Sequence, residues 1–255
     1  MNKRLKFILI SGLLSLGLLT TQFIDISWRY WAILTLTPLT FGFCVWGLVE
    51  DLKGVEWLTL FILPIYYTVS VALFYFLLPE KIITRIFILS LFGIGMYALL
   101  LTQNIFSIAA IRTIQLLRAA HAVAFLLTLV TTFFLFDTLL SFRLSPWFNA
   151  LLAWVIAFPL VLAGLWNITL ANKIDQETWG YSLVLAWIFS QLAFWISFWP
   201  LSVAGASLFL VTAMYVGLGI FQHHFSGRLF QKTISEYAWV GVVVLIITFL
   251  TAGWG

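Results

Sequence analysis

The chain has 255 residues, 63% of them hydrophobic and 18% aromatic, with only 9% charged and a mean hydropathy of +1.10. Soluble globular domains carry about 25% charged residues, so this composition excludes one and points to a polytopic membrane protein. The net charge of +4 comes from 13 Lys and Arg scattered among apolar runs, with no basic patch of interleaved aromatics, which argues against a nucleic-acid partner.

The first run, "FILISGLLSLGLL", follows the basic start "MNKRLK". It has the charged start and apolar stretch of a secretory signal. However, "TTQFIDISW" comes next without an A-x-A cleavage site, so a retained signal-anchor helix is predicted over 7–23. Ser11 and Ser15 give that helix a small face for close packing on a neighbour. A crossing needs about 20 apolar residues, and further spans are predicted over 30–49, 57–78, 82–101, 119–140, 147–170, 181–199, 201–221 and 237–254. Pro79, Pro146 and Pro200 fall in short connections, whereas Pro38, Pro64 and Pro159 lie inside spans and predict kinks. No stretch alternates at period two as a barrel strand would. The expected fold class is therefore all-α, a polytopic transmembrane helix bundle of nine spans. Cys44, the single cysteine, lies inside an apolar run and reads as a packing residue.

With the N-terminus in the cytoplasm, the inner side carries nine basic residues: Lys3, Arg4, Lys6, Lys53, Arg112, Arg118, Lys173, Arg228 and Lys232. The outer side carries four: Arg29, Lys81, Arg85 and Arg143. Cytoplasmic loops are the basic ones, so the N-terminus is expected inside and the C-terminus outside.

An internal duplication is also expected. Pro38-Leu39, Trp46, Glu56-Trp57 and Pro79 recur as Pro159-Leu160, Trp166, Glu177 with Trp179, and Pro200. "SLFGIGMYALLLTQ" aligns with "SLFLVTAMYVGLGIFQ", ending at Gln103 and Gln222, and "FSIAAIRTI" with "FSGRLFQKTI". The expected organisation is an anchor helix over 1–26, a first four-helix repeat over 27–142 and a second over 143–255. An even number of helices per repeat makes the two parallel, a class whose substrate sites lie between repeats.

Ionisable groups inside spans are expensive and are the default functional candidates. Asp137 stands near the outer end of the fifth span, where it can reach headgroups or pair with Arg143. Gln191 is central in the seventh span, as an interhelical tie or a ligand contact, and Asn167 lies beside Trp166 at the inner end of the sixth. Thr128, Thr131 and Thr132 read as packing residues, Glu236 as a cap of the last helix, and His223-His224 as a loop pair. The loop holding Glu50, Asp51, Lys53 and Glu56 is the nearest approach to an acidic cluster and reads as solvated. No nucleophile elbow, metal-ligand spacing or cofactor fingerprint is present, so no catalytic residue, metal site or cofactor is expected.

The stretch "RTIQLLRAAH" places Arg112, Gln115, Arg118 and His121 three residues apart. Asn104, Ser107, Gln115 and Arg118 share one helical face, and the polar face stops where the fifth span begins, unlike a voltage sensor. An amphipathic helix on the inner surface is expected. The duplication matches Arg112-Thr113-Ile114 with Lys232-Thr233-Ile234 but sets Arg118 and His121 opposite Ala238 and Gly241. Arg118 and His121 are thus the candidates for holding an anionic lipid headgroup at the cytoplasmic face. The tract "IRTIQLLRAAHAVAFLLTLVTTFFLFDTL", about a tenth of the chain, resembles uncharacterised polytopic proteins of small-genome bacteria. That resemblance implies a bacterial inner-membrane location and brings no functional residues with it. The expected function is a non-catalytic membrane protein that transports a small neutral or lipid-like solute. The alternative is an assembly component with membrane-protein partners, and a lipid-modifying enzyme ranks behind both.

Overall fold

In hydrocarbon, only internal hydrogen bonding satisfies the backbone, so the apolar runs fold as helices. The computed structural model describes residues 3–49, 56–79, 81–110, 115–171 and 173–253, and the side chains of all of these except 26, 27 and 56–58. Among them the helices are α1 (Lys3–Thr21), α2 (Ile26–Leu48), α3 (Glu56–Tyr75), α4 (Ile82–Ala109), α5 (Leu117–Ser141), α6 (Pro146–Thr169), α7 (Gln176–Ile196), α8 (Val203–Phe225) and α9 (Gln231–Thr251). Eight are long and apolar enough to cross a membrane; the part of α3 with described side chains, Thr59–Tyr75, is shorter, although the whole helix has 20 residues. Arg112, Glu50, Asp51, Lys53, the Glu56 side chain and the chain end at Gly255 lie outside the described residues.

Each predicted span falls on one helix, and the differences are at the ends. His223 and His224 close the last turn of α8 rather than a loop, with His223 Nδ1 2.9 Å from the Gly219 carbonyl. Because α9 starts at Gln231, Glu236 lies beyond the first turn and caps nothing. The stretch 104–121 is not one surface helix. α4 runs on to Ala109, Gln115 and Leu116 form a turn, and α5 starts at Leu117. Polar residues at period three fit the solvated ends of two successive spans as well as one surface helix.

The chain divides into two compact units, Met1–Thr131 and Thr132–Gly255, which meet inside α5. In the first unit α1 packs on α2 and α4, α2 on α3, and α3 on α4. Phe7, Ile10, Leu14 and Leu18 of α1 are buried. Ser15 also faces α4 closely, since a Cβ added at Gly93 would lie 3.0 Å from its Oγ. Ser15 therefore does the close packing expected of it. Tyr67 of α3 is stacked on Phe92 and donates from its hydroxyl to the Leu91 carbonyl at 2.9 Å. Its ring occupies the space that a side chain at Gly95 would need. Thr40 and Thr68 meet at 3.3 Å across α2 and α3 while each also donates to a carbonyl one turn back, so neither hydroxyl is stranded in the apolar layer. Cys44 is fully buried and free, a packing residue.

In the second unit α6 packs on α7 and α8, α7 on α8, and α8 on α9. Pro146 opens α6 at a position where a missing N–H costs nothing. α6 ends with Leu170 in the left-handed region at φ 48°, and the buried Trp166 indole donates to the Ala171 carbonyl at 2.9 Å, fixing that exit. Gln222 of α8 donates to the Gly164 carbonyl of α6 at 3.0 Å. α9 packs on α8 and buries only Thr248 among its described residues.

Candidate functional site

Arg118 is exposed in the first turn of α5, and His121, half-buried one turn later, stacks on Phe106 of α4 with centroids 5.3 Å apart. Gln191 is exposed on α7, whose buried face is formed by Leu185, Phe189, Ala193 and Ile196. Two residues on from Phe189 turns Gln191 about 200° away from that face. A central position along a helix says nothing about which side a residue occupies, so the expected interhelical tie is absent from the described structure. Asn167 is 4% exposed in the last turn of α6, beside Trp166. Asp137 is half-buried on α5, near Ser207 of α8, whose hydroxyl donates to the Val203 carbonyl at 2.8 Å.

Asp137 borders a larger polar feature. One turn beyond it, Leu140 enters the wall of an open cavity of about 410 Å³ in the second unit. The ends of four helices converge there: the α5 exit at Arg143, the α6 start at Asn149, the α7 exit at Ser197 and the α8 start at Ser202 and Val203. Arg143 is exposed and sits in the left-handed region at φ 49°, where its N–H still closes the end of α5 on the Leu140 carbonyl at 3.1 Å. At α8, Ser202 Oγ accepts from the Gly205 N–H at 3.2 Å, and the positive end of that helix lines the cavity.

Asn149 fixes the geometry of the wall. Its amide nitrogen is 3.0 Å from Ser197 Oγ and 3.4 Å from the Leu144 carbonyl. The Ser197 hydroxyl proton goes to the Ala193 carbonyl at 2.7 Å, so Ser197 Oγ accepts from Asn149. Two acceptors on one side of the amide make that atom Nδ2 and leave Oδ1 on the other. Asn149 is 4% exposed, and Oδ1 is buried without a hydrogen-bond partner. An acceptor in that condition costs about 1–3 kcal/mol until a donor reaches it.

An apolar groove of about 390 Å³ lies along α7, α8 and α9, lined by Leu192, Phe209, Ala213 and Leu245 among others. Its neighbours toward the polar cavity are one turn away. Ile196 follows Leu192 on α7, Ala206 precedes Phe209 on α8, and both Ile196 and Ala206 line the polar cavity. Sequence reasoning passed over Asn149 and counted Arg143 as an outer charge and a partner for Asp137. The available signal was an Asn in the opening turn of a largely apolar helix, directly after "RLSPWF".

Helices of this length and hydropathy define an all-α multi-pass membrane protein. Residues 46–251 match the family described as "Protein of unknown function (DUF5656)", and the chain belongs to that family. No curated protein and no solved structure matched the chain.

Proposed function

We propose that this protein is a non-catalytic membrane protein that takes up an amphiphilic, lipid-like molecule in its second unit. The observation that carries the reading is the polar cavity at Arg143 and Asn149, one helical turn from the apolar groove on the same two helices. A headgroup fits the first and an acyl chain the second, the polarity split expected of a ligand site. The proposal places the chain in a bacterial inner membrane, N-terminus inside, with nine crossings and the cavity at the outer face. It also retains the anchor helix and the two parallel four-helix repeats. The burial of α1 within its unit supports the first of these. The second is supported by the way α2 packs on α3 and α3 on α4, as α6 packs on α7 and α7 on α8.

The test is native mass spectrometry of the purified full-length protein after exhaustive detergent exchange. One phospholipid per chain should remain on the wild type, and Arg143→Gln should weaken its retention about tenfold, the scale of one hydrogen bond to a charged group. Retention unchanged by Arg143→Gln would contradict the site, and absence of any bound lipid would contradict lipid handling.

A further inference from the structure

The apolar groove along α7, α8 and α9 has two unlike ends. Toward the polar cavity its walls continue one turn on, into Ile196 and Ala206 of the cavity wall. At the other end each of the three helices supplies an aromatic ring. α8 places Phe221 in the groove wall itself. On α7, Tyr181 stands one turn beyond Leu185, the groove residue of that helix farthest from the cavity, and its ring lies 5.0 Å from that of Phe221. On α9, Tyr237 stands one turn beyond Gly241 of the groove and packs on Tyr215 at 4.9 Å. Phe225 braces Tyr181 in turn, edge-on at 5.7 Å. Between the two ends the wall presents hydrocarbon, because the Thr212 hydroxyl already donates to the Leu208 carbonyl at 2.9 Å.

From Phe209 to Phe221 α8 rises about 18 Å. That exceeds the hydrocarbon depth of one leaflet, about 15 Å or half of the core. Resting on the lipid-binding reading above, we infer that the groove gauges chain length. One hydrocarbon chain enters from the cavity end, runs extended along α8 past the bilayer midplane, and stops on Phe221, the specificity-determining residue. Hydrocarbon outside the groove is as apolar as hydrocarbon within it, so transfer alone selects nothing. Fit does the selecting. A chain that is too short leaves the deep end without contacts, and one that is too long must displace packed rings. The ligand class is therefore a lipid with one chain of narrowly defined length.

Lysophosphatidylglycerols with lauroyl, myristoyl, palmitoyl, stearoyl and arachidoyl chains, mixed in equal amounts, separate length from headgroup. Offered to the full-length protein and read by native mass spectrometry, retention should peak at one chain and fall about tenfold two steps along the series, the scale of a packing mismatch. Phe221→Ala removes the stop and should move the peak to longer chains. Val216→Phe puts a ring into the groove beside Gly241, short of Phe221, and should move it to shorter ones. Arg143→Gln should lower all lengths together and leave the peak in place. Each peak is a ratio within one preparation, so partial loss of folded protein does not mimic opposite shifts. Retention independent of chain length, or a peak that neither groove substitution moves, would overturn this inference and leave the lipid-binding reading standing. Failure of the wild type to retain any of the five would overturn both.

Discussion

Gln222 illustrates how a single polar side chain acts inside an apolar layer. Its amide donates to the Gly164 carbonyl of the neighbouring helix, so α8 is tied to α6 without an unsatisfied group. Gln222→Leu keeps the bulk and removes the tie; thermal unfolding in detergent should show a loss of about 0.6–1.7 kcal/mol, the range of interhelical hydrogen bonds in membranes. An unchanged midpoint would mean that the bond contributes nothing. At this scale the sequence was a partial guide. Asp137 was found because an acid in a span is conspicuous, and the structure brings it near the cavity. Gln191 and Arg118 were equally conspicuous yet lie exposed, because residue type identifies a costly group but not the face on which it sits. Asn149 drew no attention, since its significance comes from Ser197, 48 residues away in sequence.

Between helices, close approach depends on glycines. Tyr67 covers Gly95 between α3 and α4, and Tyr237 covers Gly219 between α8 and α9. A leucine at either position must displace a tyrosine ring, and overpacking of that kind costs about 1–3 kcal/mol. The consequences should differ. α4 also packs on α1, whereas α9 is attached chiefly through α8. Gly95→Leu should therefore lower the thermal midpoint of the whole protein, while Gly219→Leu should mainly loosen α9, read as faster proteolysis between α8 and α9 with a smaller midpoint shift. Equal effects would contradict this hierarchy. Helix existence was legible from length and hydropathy, because about 20 apolar residues admit little else. Helix packing was not, because spans that are apolar all round carry no stripe to mark the buried side.

For the molecule as a whole, the family match beginning at residue 46 leaves α1 outside it, yet α1 is packed into the first unit against α2 and α4. The proposed orientation predicts that a periplasmic reporter such as alkaline phosphatase fused after Gly255 is active and a cytoplasmic fluorescent reporter there is dark. The reverse pattern would remove one crossing from the count. The site's location was hidden from the sequence for a reason of scale. Two connections distant in the chain, α5–α6 and α7–α8, build the cavity, and only the fold brings Arg143 and Asn149 of the first against Ser197 and Ser202 of the second.

The most direct test of the central claim is site-specific photocrosslinking in intact membranes. A benzophenone amino acid placed at Leu144, in the cavity wall, is compared with one at Gln191, exposed on α7. A cavity that holds one amphiphile predicts a discrete phospholipid adduct at Leu144 that Arg143→Gln suppresses, and at Gln191 only weak, heterogeneous adducts that the same substitution leaves unchanged. Adducts of equal yield and composition at both positions, indifferent to Arg143, would contradict it.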